Sequence, residues 1–89
     1  MDLQYVKGYL RVDYDDDDPL IQGFIAGAKN YLHGAGVPER QDDELYNIVV
    51  LMLVALFYEN REVTDKDIKI PSVVHNFIVQ LSVRSGVTP

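Results

Sequence analysis

The stretch Ile48–Phe57, IVVLMLVALF, holds no polar residue. Wound as a helix, it shows apolar side chains on every side, and a helix of that kind is buried all round. It extends in both directions into a helix over about Asp42–Asn60. Asp42, Asp43 and Glu44 favour the positive end of the helix dipole, and Arg61 the negative end. A chain of 89 residues offers about three more helices to cover this one, and a domain that short buries only about two-thirds of its unfolded surface. Part of the apolar surface is therefore expected to meet another copy of the chain or a partner. Val49, Met52, Leu53, Phe57, Tyr58 and Arg61 are the residues this reading places at a subunit or partner contact. A membrane span needs roughly 20 apolar residues. Asn47 and Glu59 bracket a run too short for that, so no membrane association is expected.

Three further helices follow from spacing and punctuation. The first spans about Asp2–Leu10, with Asp2 as its cap and Leu3, Val6 and Leu10 at helical spacing; Arg11 suits its C-terminal end. The second spans about Pro19–His33. Asp18 followed by Pro19 is an N-cap acid before a proline at the first helical position, where the missing N–H costs nothing. Leu20, Ile21, Phe24, Ile25, Ala28 and Leu32 form its apolar stripe, and Gly34 and Gly36 suit a left-handed stop ahead of Pro38. The fourth spans about Ser72–Arg84, with Val74, Phe77, Ile78 and Leu81 at i, i+3, i+4, i+7. Between the third and fourth, Glu62–Ile70 reads as an extended loop, longer than the usual helix connection. The expected fold is all-α, a small bundle of about four helices in one domain over residues 1–89, with 85–89 a flexible tail.

The chain carries a net charge of −6. Residues 1–44 hold ten acids and four bases, and residues 45–89 hold four of each, so the excess lies in the first half. Gripping DNA by its phosphates needs clustered Lys and Arg, which this balance does not provide. There is no cysteine, hence no disulfide framework and no thiolate metal site, as suits an intracellular protein or one that does not depend on redox state. The N-terminus lacks the basic and apolar regions of a signal peptide.

Candidate chemistry is sparse. Asp13, Asp15 and Asp17 have the spacing of the first calcium ligands of an EF-hand, but Asp18 stands where that loop needs Gly and Phe24 where it needs a bidentate Glu. The run then reads as an acidic turn feeding the second helix, and neutralising Asp15–Asp18 is expected to leave the fold intact, because exposed caps contribute modestly. His33 and His75 have no acid at a metal-ligand spacing. Ser72, Ser82 and Ser85 sit in capping or tail contexts without a base to activate them. No catalytic residue, cofactor or metal is expected. Gly23 and Gly27 lie four apart on the second helix and each costs about 1 kcal/mol relative to Ala, which suggests close approach of another helix, within the fold or between subunits. Six tyrosines in so short a chain suit surfaces where one end of a side chain is buried and the other wet.

Taken in order, these pieces resemble the head–tail connector (adaptor) proteins of long-tailed bacteriophages. The stretch LQYVKGYLRVDYDDDDPLIQGFIAGAKNYL is similar to the opening of that family. It has a short helix ending in the turn Leu10, Arg11, Val12, Asp13, then an acidic stretch, then a second helix ending through Ala28, Tyr31 and Leu32. The apolar helix closed by Tyr58–Glu62 and the segment Pro71–Arg84 resemble the later helices, so the likeness covers about residues 3–84. The resemblance implies a structural subunit made in the bacterial host cytoplasm and placed at the head–tail junction of the virion. It implies a ring of identical subunits matching the twelvefold portal, docked on the portal protein after DNA packaging, extending the DNA channel and receiving a neck or tail-completion protein. DNA would pass without specific binding, Asp15, Asp16, Asp17 and Asp18 would form an acidic channel-facing surface, and Val83–Pro89 would meet the portal. The Glu39–Glu44 connection, where such proteins vary, leaves local subunit contacts open. Two other classes fit the composition: a DNA-mimic inhibitor, which would want carboxylates spread along one face, and a small regulatory protein that dimerises through the third helix.

Overall fold

The computed structural model describes residues 2–61 and 69–84. They form four helices: α1 (Leu3–Leu10), α2 (Asp18–Gly34), α3 (Glu44–Glu59) and α4 (Ser72–Arg84). No strand occurs among the described residues, so the chain is an all-α bundle. Most of the expected extended loop (62–68) and the expected tail (85–89) lie outside the described residues.

The helix ends follow from local chemistry. Asp2 caps α1, its carboxylate accepting from the Tyr5 amide at 2.7 Å. Asp43 caps α3 by accepting from the amides of Leu45 and Tyr46 at 3.0 and 3.4 Å. These bonds satisfy amides that a helix start leaves unpaired. α2 stops in a Schellman turn: Gly36 takes φ 87°, its amide reaches the His33 carbonyl, and the Val37 amide reaches the Leu32 carbonyl at 2.9 Å. Only Gly enters that backbone region at no steric cost. α1 ends the same way on a less suitable residue. Arg11 adopts φ 60° and the Val12 amide bonds the Lys7 carbonyl at 3.0 Å, which turns Val12 back into the core. Asp18 departs from expectation. It is the first residue of α2, and Asp17 at the cap position makes no side-chain capping bond.

The core is built around α3. Val49, Val50, Leu53 and Val54 expose nothing. α2 lays Ile21, Ile25, Ala28 and Leu32 on it, α4 adds Val74, Ile78 and Leu81, and α1 inserts Val6. Phe24 of α2 meets Phe57 of α3 with ring centroids 5.9 Å apart. Val12 and Val37 fold in from the loops. This burial bears on the expected set of partner contacts. Val49 and Leu53 are wholly covered within the protomer, and Tyr58 nearly so, so as folded they offer a neighbour almost no surface. The physical reason is that α2 and α4 each bring a full apolar stripe and two loop valines close the ends. Burying each such side chain contributes about 1.5–3 kcal/mol.

The glycines of α2 also behave differently from one of the two expected readings. A methyl group added at Gly23 or Gly27 would meet nothing within 4 Å. Among the described residues no other helix approaches them, and their helical cost has no return there. Replacing either by Ala is therefore expected to stabilise the protomer by up to about 1 kcal/mol, read as a higher urea midpoint. A lower midpoint would show that something in the protomer packs there.

Candidate functional site

The acidic run forms the first cluster, and its carboxylates turn inward. Lys7 lies on the buried side of α1, with its side chain only 5% exposed. Its ammonium sits 2.7 Å from Asp15 Oδ1 and 2.8 Å from Asp18 Oδ1. The cation these acids hold is thus a lysine of the same chain. The hydrogen bond to Asp15, then that to Asp18, hold the Lys7 pKa above its ordinary value, against the opposing pull of burial. The stem of Lys7 is covered while the charge reaches the rim, where the Asp15 side chain is largely solvent-exposed.

A second set of polar contacts closes over the end of α3. The Tyr58 hydroxyl donates to Asp17 Oδ2 at 2.8 Å, and the Tyr14 and Tyr58 hydroxyls lie 2.9 Å apart. The Tyr14 hydroxyl and the Asp17 carboxylate beside it push the Tyr58 phenol well above its usual range. The Arg61 guanidinium stacks on the Tyr58 ring, 4.1 Å from its centroid, and donates to the Tyr58 carbonyl at 2.6 Å. Cation–π stacking favours this placement. Of Tyr58 and Arg61, both expected at a partner contact, Tyr58 ties the end of α3 to the 11–18 turn of its own chain, while Arg61 packs on Tyr58 and stays exposed. Of the four expected channel-facing aspartates, Asp15 and Asp18 neutralise Lys7 and Asp17 serves Tyr58. Asp16 alone has no ion pair or side-chain hydrogen bond among the described residues and stands exposed.

A different surface remains open. Along the outer side of α3, Ile48, Met52 and Ala55 line a row of three shallow hollows, together termed the groove. Tyr5 and Tyr9 of α1 wall it on one side and Val73 of α4 on the other. Tyr5 is 61% exposed and Tyr9, Ile48 and Val73 about half exposed. Glu44 and Glu59 stand at its two ends. Of the residues expected at a contact, Met52 lies in this groove, half-buried. Phe57 is half-buried against Phe24 on the far side of α3. Exposed tyrosines and aliphatic groups of this kind suit a polypeptide contact, and nothing among these lining residues is arranged to activate a nucleophile or transfer a proton.

The profile of phage gp6-like head-tail connector proteins matches residues 1–83. The chain belongs to that family. No curated protein matches it, and no solved structure does. The connector is accordingly a structural component of a phage virion that assembles with other virion proteins. No helix among its described residues is long and apolar enough to cross a membrane.

The sequence reading missed three features of the connector. The Lys7 partnership is concealed because Asp15 and Asp18 lie eight and eleven residues away and are brought to Lys7 only by the turn at Arg11. The Tyr14–Tyr58 contact joins residues 44 apart, with no local trace. The groove involves Tyr5, Tyr9, Ile48 and Val73 in place of the buried Val49 and Leu53. One signal was available: Ile48, Met52, Ala55 and Glu59 follow one helical line, and the polar Glu59 marks that line as the outward one.

Proposed function

We propose that this connector forms a homo-oligomeric ring, dodecameric in the virion, beneath the phage portal, where it extends the DNA channel and joins head to tail. The observation that carries the reading is a completed apolar core beside a groove of exposed Tyr5, Tyr9, Ile48 and Val73, in a chain whose family works by joining virion parts. Exposed aromatic and aliphatic groups of this kind are typical of contact surfaces. The portal protein on one side and a neck or tail-completion protein on the other are the partners. The exposed rim of the acidic run, with Asp16 foremost, faces the channel. Negative charge there lets the DNA backbone slide without the counterion release that drives binding. A DNA-mimic inhibitor is disfavoured, because Asp15, Asp17 and Asp18 are engaged by Lys7 and Tyr58 and do not form an extended anionic face.

The test is the native mass of the purified chain by light scattering across a concentration range, alone and with its portal protein, with negative-stain imaging of large species. A ring of about a dozen subunits, free or on the portal, is the expected result. A strict dimer, or a monomer that the portal does not recruit, overturns the proposal.

A further inference from the structure

We propose that the contact between neighbouring connector subunits is head-to-tail, with the outer face of α2 from one copy seated in the α1/α3/α4 groove of the next; this rests on the reading of the chain as a ring subunit. A closed ring of identical chains needs two different, complementary surfaces on each copy. The protomer has two such surfaces, on opposite sides of α3. Phe57, which touches α2, lies nine residues beyond Ile48, about two and a half helical turns on. The groove floor and α2 therefore flank α3 from opposite directions. Ile21, Ile25, Ala28 and Leu32 take the inner side of α2, and Leu20, Gly23, Gly27 and Tyr31 run along one exposed flank of its outer surface, with Leu20 and Tyr31 exposed by 40% and 45%.

Charge selects this occupant. Two copies carrying −6 each repel wherever acids meet, and the groove already has Glu44 and Glu59 at its ends. From Pro19 to Ala35 the only charged side chain is Lys29, which is bound to Glu39 at 3.0 Å, so the α2 face brings no acid to the groove. The exposed surface of α4 is also free of acid, but it begins at Val73, on the wall of the groove itself. The α2 face lies on the far side, where the same contact repeats from copy to copy. The lengths agree: Leu20–Tyr31 and Ile48–Glu59 each advance eleven residues, about 16 Å. The open space at Gly23 and Gly27 lets a neighbour's tyrosines reach the α2 backbone, a use for these glycines that the protomer itself does not supply.

The pairing is tested with Gly27→Glu and Ile48→Glu, both at exposed positions, by sedimentation velocity under the conditions where the wild-type chain assembles, alone or on its portal. Each variant should keep wild-type helicity by circular dichroism and lose assembly at least tenfold in concentration. Mixed in equal amounts, they should form a heterodimer and nothing larger, because the mixture retains one intact α2 face and one intact groove per pair. Assembly of either variant like wild type overturns the pairing while leaving the ring reading in place. So does a mixture that stays monomeric. A wild-type chain that never assembles, with or without portal, overturns the ring reading and the pairing together.

Discussion

Leu53→Asp is expected to leave no soluble folded protein. Leu53 is fully buried at the centre of α3 and is flanked by Val49, Val50 and Val54, which are also fully buried. Truncating such a leucine to Ala already costs about 2–5 kcal/mol. An aspartate adds a carboxyl that finds no partner among these valines, and it must either stay charged at great cost or fold as the neutral acid. Folding as the neutral acid near neutral pH, about three units above an ordinary aspartate pKa of about 3.9, costs about 4 kcal/mol. A chain of this length has a total stability on the order of 4–13 kcal/mol. The two losses together use most or all of it. Met52→Asp, one residue away but in the open groove, is the control and should fold. Soluble yield and far-UV circular dichroism decide the matter. Cooperative folding of Leu53→Asp would mean that α3 is not the centre of the core.

Replacing both Asp15 and Asp18 by Asn is expected to lower the thermal midpoint more than any single substitution in the acidic run. Among the described residues the pair supplies the only carboxylates at the Lys7 ammonium, and removing the partners of a covered charge is more damaging than removing the whole arrangement. Adding Lys7→Met to the double variant should therefore restore much of the loss, since the methionine keeps the apolar stem and removes the stranded charge. Asp16→Asn should change little, because Asp16 is exposed and unpaired among the described residues. The fold is expected to survive neutralisation of Asp15–Asp18, but with a larger loss of stability than exposed caps alone would give. A double variant as stable as wild type would return the run to the role of a solvated turn.

The same pair carries a pH signature. The Lys7 pKa is raised in the folded chain above its ordinary 10.5. A folded value above the unfolded one means the native state binds the proton more tightly. The contribution is whole below the unfolded value and is lost as pH rises through the folded one. Denaturation midpoints of wild type and Lys7→Met, followed from neutral pH into the strongly alkaline range, should differ by a constant amount at first and then change at the alkaline end. A difference that shifts between neutral pH and mild alkali would point to another group.

Helix number, order and approximate extent were legible in the chain because each depends on residues within a few positions of one another. Asp2 and Asp43 cap amides two or three residues on, and Gly36 supplies the one positive φ that α2 needs to stop. The repeat of Ile21, Ile25, Ala28 and Leu32 sets which side of α2 turns inward. The cluster at the 11–18 turn was not legible. Its acids look alike in sequence, and only the path set by Arg11 decides that Asp15 and Asp18 reach Lys7, that Asp17 reaches Tyr58, and that Asp16 reaches nothing. The proposed partner surface differs within α3 from the expected one for a related reason. A helix apolar on nearly all sides gives only one faint internal sign of which side its neighbours will leave bare, Glu59 at the end of the Ile48–Met52–Ala55 line.

By itself, then, the sequence determined a cysteine-free acidic bundle of four helices centred on α3, since periodicity, caps and turns act over one or two helical turns of chain. Tertiary structure alone decided that Val49 and Leu53 are interior, that Ile48 and Met52 lie in an open groove with Tyr5 and Tyr9, and that a buried lysine holds the acidic turn. Those outcomes depend on where separate helices come to rest against one another, over separations as long as the 44 residues between Tyr14 and Tyr58, and burial and electrostatics settle them only once the whole chain has packed.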